Sequence, residues 1–291
     1  MSQQKSVLVS VLALVLLATS VNAQGDPDRW TQEFLFMMDD AYTQAQGQWQ
    51  VSAEAGYLQD RRTKEYRGAN LVTTDTDELW KAAAKVAYGL TDSIQANLYV
   101  PYGHIKTEGT TLGVTQQVNR YDFGDVTAGL TFKLMDQDHD NWLPTLAATA
   151  TAVLPTSDKD AGMGKDAYGW RAGLAASKAV DDFFWHGNVA YGRSDNTREF
   201  GQNYWADEKV FSCGAALVFS PTREYDLICE TYAEFETEDS TLETEHRMSW
   251  YLTPGAKYHL SETTDVGFSV PVGLQGDTYD WGIIAKVQIE W

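Results

Sequence analysis

Between residues 225 and 236 acidic side chains return at even spacings, as Asp226, Glu230, Glu234 and Glu236, with Ile228 and Tyr232 between them. In an extended chain successive side chains point to opposite faces, so all six stand on one side of a strand. The next extended stretch, 248 to 260, puts Tyr251, Lys257 and His259 on one face as well. Carboxylates in file beside a lysine and a histidine suit two kinds of chemistry. Lining a water-filled passage, they make a charged constriction that selects small polar or cationic solutes. Paired across the space they enclose, they make an internal ion-pair network that stiffens the fold, and this is the favoured reading because inward charges usually pair. Lys81, Lys85, Lys133 and Arg171, against Glu54, Asp125 and Glu290, have the same kind of placement on other stretches.

What must position these groups is legible from the order of residues. The first 23 form a leader: Lys5, then an apolar run over 6 to 18, then Val21-Asn22-Ala23 with small residues where a signal peptidase reads. An anchor needs ~20 apolar residues, so the expectation is a secretory signal peptide cleaved after Ala23. Removing it takes only one charged residue, Lys5, and leaves a net charge of −20 in place of −19. Residues 24 to 46 then read as a periplasmic N-terminal segment with access to the interior of whatever follows. Within it only Trp30 to Ala45 has a helix-like mix of residues.

From residue 47 to 291 the chain alternates. Trp281, Ile283, Ala285, Val287, Ile289 and Trp291 share one face and Gly282, Ile284, Lys286, Gln288 and Glu290 the other. The same period of two runs through 49–57, 80–90, 94–102, 126–134, 146–154, 168–176, 183–193, 211–219, 225–235, 248–260 and 266–274. That makes twelve predicted strands of about ten residues, many with aromatic ends. A soluble sandwich needs alternation in its half-buried strands but not aromatics at both ends of them. Connections after the even-numbered strands are short and polar, and those after most odd-numbered ones are longer. The pattern predicts an all-β, closed, antiparallel up-and-down transmembrane β-barrel of about twelve strands, with short periplasmic turns and longer extracellular loops. Closure is forced, because in lipid every backbone N–H and C=O must be paired within the wall. Aromatic girdles are expected from Trp49, Trp142, Trp185, Tyr225, Tyr258 and Trp291 at the inner rim, and from Tyr57, Tyr102, Trp170, Tyr191, Trp250 and Trp281 at the outer. The faces opposite the apolar ones are then the lumen, and Asp226, Glu230, Glu234, Tyr251, Lys257, His259, Lys81, Lys85 and Arg171 are its candidate lining.

Other chemistries find less support. With 41 Asp and Glu against 22 Lys and Arg, nucleic acid is not an expected partner. A Ser-His hydrolase needs the two side chains within hydrogen-bond reach. His139 is placed in a turn and His246 in a loop, while His186 and His259 face the lumen. His104 alone nears the outer rim, with no serine two residues away or directly across the neighbouring strand. No paired His or Cys spacing of the zinc type occurs, so neither metal nor cofactor is expected. Cys213 and Cys229 flank the turn at Pro221-Thr222 on one outward face, directly opposite or one pair out of register. There they either pack as small apolar groups or form a disulfide.

Five runs between Tyr88 and Arg193 carry a resemblance: Tyr88-Gly89-Leu90-Thr91-Asp92, Val100-Pro101-Tyr102, Gly124-Asp125-Val126, Leu154-Pro155-Thr156-Ser157-Asp158 and Gly173-Leu174-Ala175-Ala176-Ser177-Lys178. They resemble the outer-membrane proteins labelled "putative MetA-pathway of phenol degradation". The resemblance implies passage of aromatic or other hydrophobic compounds across the outer membrane, and it brings no catalytic residues. The expected function is an outer-membrane channel or transporter for small molecules by passive diffusion. The alternatives are a structural or adhesive barrel with a filled lumen and a lipid-modifying enzyme. Expected partners are outer-membrane lipid, a small-molecule solute and the barrel-assembly machinery, the last through the terminal strand ending at Trp291.

Overall fold

The computed structural model describes residues 35–66, 71–111, 114–137, 142–158, 164, 167–197, 206–240, 244–276 and 278–291. The expected signal peptide, Trp30 and His139 lie outside these residues. Fourteen strand segments follow in chain order: β1 Trp49–Tyr66, β2 Leu71–Thr91, β3 Ile94–Thr111, β4 Val114–Phe123, β5 Val126–Met135, β6 Thr145–Leu154, β7 Gly169–Val180, β8 Phe183–Thr197, β9 Ala206–Phe219, β10 Tyr225–Ser240, β11 Thr244–Ser261, β12 Thr264–Ser269, β13 Val272–Gly276 and β14 Trp281–Glu290.

They build twelve staves, because two staves are broken. β4 pairs with the outer part of β3 and β5 with its inner part, the break falling at Gly124-Asp125. β12 and β13 divide β11 in the same way, interrupted at Val270-Pro271, where proline has no N–H to give to a ladder. Each stave runs antiparallel to the next, and β1 closes on β14 from Gln50 opposite Glu290 to Gln59 opposite Trp281. Trp49 and Trp291 seal the seam with two backbone hydrogen bonds, of 2.8 and 3.0 Å. No edge is left along it, which is the condition for a sheet to stand in hydrocarbon.

The two faces have the polarity of a membrane barrel. Leu98, Leu130, Leu174, Val189, Leu217, Phe268 and Ile283 point out and are exposed, while Ser52, Gln95, Thr131, Ser177, His186, Ser212, Thr253 and Gln288 point in and are buried. In water this would be an inverted protein; in lipid it places each group in its own solvent. Aromatic rings meet at both ends of the wall: Trp49 with Tyr88 at 4.5 Å and Phe183 with Phe219 at 4.8 Å toward the inner rim, Tyr57 with Trp80 at 4.7 Å and Trp170 with Tyr191 at 5.8 Å toward the outer.

Several staves outrun the ~9 to 11 residues that cross a bilayer. β1 has 18 residues, β2 21 and β11 18, so most of the length on the extracellular side is ribbon that rises past the wall. His246, expected in a loop, accordingly lies in β11 opposite Thr237. The described residues between β6 and β7, 155–158, 164 and 167–168, lie outside any strand. At the β4–β5 break the Asp125 carboxylate accepts hydrogen bonds from the Thr156 and Ser157 amides and from the Ser157 hydroxyl at 2.7 to 3.2 Å. The Thr156 hydroxyl in turn accepts from the Val126 amide and donates to the Gly124 carbonyl. Two of the five sequence runs named above are thus the two halves of one clasp.

Residues 35–46 form no helix. They run inside the barrel, and their amides donate to side chains of the wall in place of carbonyls four residues back, which accounts for the departure from the helix-like composition.

The cysteines share a face but not a register. Cys213 stands opposite Ala233 and Cys229 opposite Leu217. Four positions along a strand are ~13 Å, beyond the reach of a disulfide, and both thiols are free.

Candidate functional site

The lumen is organised by the segment that enters it. From Gly47, whose amide bonds the Gly89 carbonyl at 2.8 Å, the chain turns inward with a positive φ of 83°. Gly89 must be glycine for this, since a Cβ there would lie 2.0 Å from the Ala45 carbonyl oxygen. The Gln46 and Gln44 amides donate to Asp92 and Gln95 at 3.0 and 2.7 Å. Deeper, the Ala41 amide donates to Ser177 at 3.0 Å, and Asp39 pairs with Lys85 at 3.2 Å. At the far end the Phe36 and Met37 amides donate to the two oxygens of Glu230 at 2.6 and 2.9 Å, while Lys286 donates to the Leu35 carbonyl at 2.8 Å. The segment thus touches staves on all sides of the barrel, in its periplasmic half.

It carries apolar weight as well as hydrogen bonds. Leu35, Phe36 and Met38 are buried with Ala216, Val218, Ile228 and Ile284 of the wall, and Met37, Phe184 and Tyr232 pack against them. An otherwise polar lumen therefore holds an apolar cluster on its β9, β10 and β14 side. The alternation had assigned Ile228 and Ile284 inward, but nothing in it showed what they would meet.

The candidate lining residues fall at three depths. Nearest the periplasm, Asp226 pairs with Lys257 at 2.8 Å and with His259 at 3.2 Å, and the other ring nitrogen of His259 meets Asp265 at 2.7 Å. With a carboxylate at each nitrogen the imidazole has to donate from both. Asp226 and His259 also line a cavity of about 270 Å³ at this rim, with Asp181, Asp182, Phe184 and Arg223. At mid-depth lie Glu230 and Lys85, both engaged by the N-terminal segment. On the extracellular side of it, Arg171 bonds Ser212 and the Tyr232 hydroxyl, and that hydroxyl donates to Glu234 at 2.9 Å. Lys81 pairs with Glu54 at 3.3 Å. The Tyr251 hydroxyl accepts the Tyr279 amide at 3.1 Å. Of the inward charges at the other positions, Lys133 pairs with Asp136 at 2.8 Å, and Glu290 accepts from Gln50 at 2.7 Å. The β10 carboxylates Asp226, Glu230 and Glu234 therefore span the depth of the barrel as a column, each engaged in a separate cluster.

Three functional groups escaped the sequence reading. Asp39 and Lys286 hold the segment, and nothing marked them beyond being charges on inward or entering stretches. The third is a Ser-His pair in the interior: Ser177 stands directly opposite His186, with Oγ 2.7 Å from Nδ1. The strand parity could have found it, had the search not been confined to the rim. Ser177 thus joins the Ala41 amide to the imidazole, accepting from the amide through the same oxygen that meets the ring. Both side chains are covered by the segment, and Tyr42 lies edge-on to the ring. The pair seats the segment and leaves no space for an acyl substrate.

Comparison with known proteins follows the fold. The COG4313 outer membrane channel from Pseudomonas putida F1 aligns with a TM-score of 0.64 at 10% identity, over 88% of this chain and all of that one. The transport unit of the autotransporter AIDA-I from Escherichia coli aligns with a TM-score of 0.51 at 10% identity, over 88% of this chain and 93% of that one. At such identities the likeness is one of architecture: a bacterial outer-membrane barrel. None of the curated proteins matches the chain. A family model does, along the whole barrel and residues 38–46 of its N-terminal segment: over residues 38–291 the chain belongs to the family described as "Putative MetA-pathway of phenol degradation".

Proposed function

We propose that this barrel is a passive outer-membrane channel for small molecules, aromatic or otherwise hydrophobic compounds among them, and that residues 35–46 are its gate. The observation that carries the reading is how the segment is held. Among the described residues it is fastened inside a polar-walled lumen by hydrogen bonds to wall side chains, the part-exposed Asp39–Lys85 ion pair and an apolar cluster, with no strand pairing of its own. Bonds of this kind contribute ~0.5–3 kcal/mol each, so the segment can leave its seat without disturbing the wall. The apolar cluster supports the solute class, because the bed that takes Phe36 and Met38 suits an apolar guest when they withdraw. Diffusion down a gradient needs no cofactor and no reacting group. In this reading the leader is removed after Ala23, and the terminal strand ending at Trp291 is what the assembly machinery engages.

A filled structural barrel is the second reading, favoured by the same segment if it never leaves. Planar-bilayer recording separates the two. Steady single-channel steps from the full chain, enlarged when residues 24–46 are deleted, support the channel. Silence from both forms, with insertion verified, overturns it. Swelling of liposomes carrying the protein in isosmotic phenol or benzoate tests the solute class.

A further inference from the structure

On the outward face of β8 to β11 the strand register sets side chains in three successive rows. Tyr191, Phe211, Phe235 and Met248 are directly opposite one another across the four staves and continue the apolar band. The next outward row is Arg193, Lys209, Thr237 and His246, with Trp170 of β7 opposite Arg193. One row farther from the membrane stand Asp207, Asp239 and Thr244, with Asp195 beside them on β8. Arg193 bridges Asp195 and Asp207 at 2.6 and 3.1 Å, and Lys209 meets Asp239 at 2.6 Å. All of these ion pairs are open to solvent.

We infer that this face binds the phosphorylated sugar headgroup of a glycolipid in the outer leaflet. The order of the rows is the order of such a molecule: acyl chains against the aromatic row, phosphate beside the cations, sugar hydroxyls beside the carboxylates. Arginine and lysine are the side chains that recognise phosphate, the first in a bidentate fork and the second as a point charge. Their present carboxylate partners do not oppose the exchange, since exposed ion pairs are worth only ~0–1 kcal/mol. The carboxylates so released accept hydrogen bonds from the sugar. The opposite wall carries a different set in the row that corresponds to Arg193 and Lys209. There Gln59, Glu78, Lys106 and Asn119 share the corresponding row, and its one cation stands between Glu78 and Glu108 at 3.5 and 3.7 Å.

The test uses the full chain in a mild detergent, titrated with bisphosphorylated lipid A and read by native mass spectrometry. Wild type retains one bound lipid A. The double variant R193A/K209A binds at least tenfold more weakly, while K106A on the far wall binds as wild type does. Phosphatidylglycerol, which has a phosphate but no phosphorylated sugar, does not compete. Heat-modifiable gel mobility verifies that each variant is folded. Equal binding by R193A/K209A overturns the inference, as does equal competition by phosphatidylglycerol, which would mark general attraction to anionic lipid. A stable dimer that lipid A does not dissociate would assign the face to a second copy and likewise overturn it.

Discussion

Glu230 and Phe36, 194 positions apart in the chain, meet inside the barrel with the carboxylate 2.6 Å from the backbone nitrogen. Glu230 has no exposure to solvent, and its second oxygen takes the Met37 amide. Glu230→Gln keeps the shape but offers one acceptor to two N–H donors and turns an NH₂ toward the other. A charge-assisted bond of ~1.5–3 kcal/mol is lost from the seat, so the occupancy of the open state in bilayer recordings is expected to rise about tenfold or more. Unchanged open occupancy would show that the segment is not latched there.

The ion pair between Asp39 and Lys85 contributes less, because both side chains are partly solvated. Lys85→Met is expected to loosen the segment by ~0–1 kcal/mol, a few-fold in open occupancy, and the difference from wild type shrinks as salt is raised toward 1 M. An effect larger than that of Glu230→Gln would reverse this ranking.

At Gly89 the constraint is steric. A methyl group there collides with the Ala45 carbonyl, so Gly89→Ala is expected to expel the base of the segment while the wall still forms. Limited proteolysis after reconstitution reads this as accelerated cleavage before Trp49, with gel mobility of the folded barrel unchanged.

The extracellular clasp is tested through its central acceptor. Asp125→Ala removes three hydrogen bonds to Thr156 and Ser157. Protease added from outside is expected to cut between residues 155 and 168 several times faster than in wild type, and cutting elsewhere is expected to stay the same.

Cys213 and Cys229 are expected to remain thiols in protein prepared without reductant. Alkylation under denaturing conditions should add two labels per chain, measured by intact mass. A chain that takes up labels only after reduction would contradict the register of β9 with β10.

That register shows what the sequence could and could not convey. Alternation alone assigned the faces, because a lipid-facing Ile283 beside an inward Ile284 needs only the pleat. The offset of Cys213 from Cys229 depends on how the turn over Ser220–Glu224 is folded, which polarity does not encode. The twelve staves were countable for the same reason as the faces, while the breaks at Gly124-Asp125 and Val270-Pro271 and the long ribbons were not, since a strand in water above the membrane has no apolar stripe. Inward charges such as Lys257 and Asp226 could be assigned to one interior but not to one another, because their pairing follows the register of β10 with β11. Least legible was the N-terminal segment. Its hydrogen-bond partners come from β3, β7, β10 and β14, so no local periodicity marks its path.

Because the first stave joins the last, the cylinder stays an open ribbon until β14 is laid beside β1. The stretch that ends up within it is attached directly to one lip of that ribbon. Its tether is therefore the closing seam itself: a segment that swings out stays fixed beside β1 at Gly47 and can return without the lips parting.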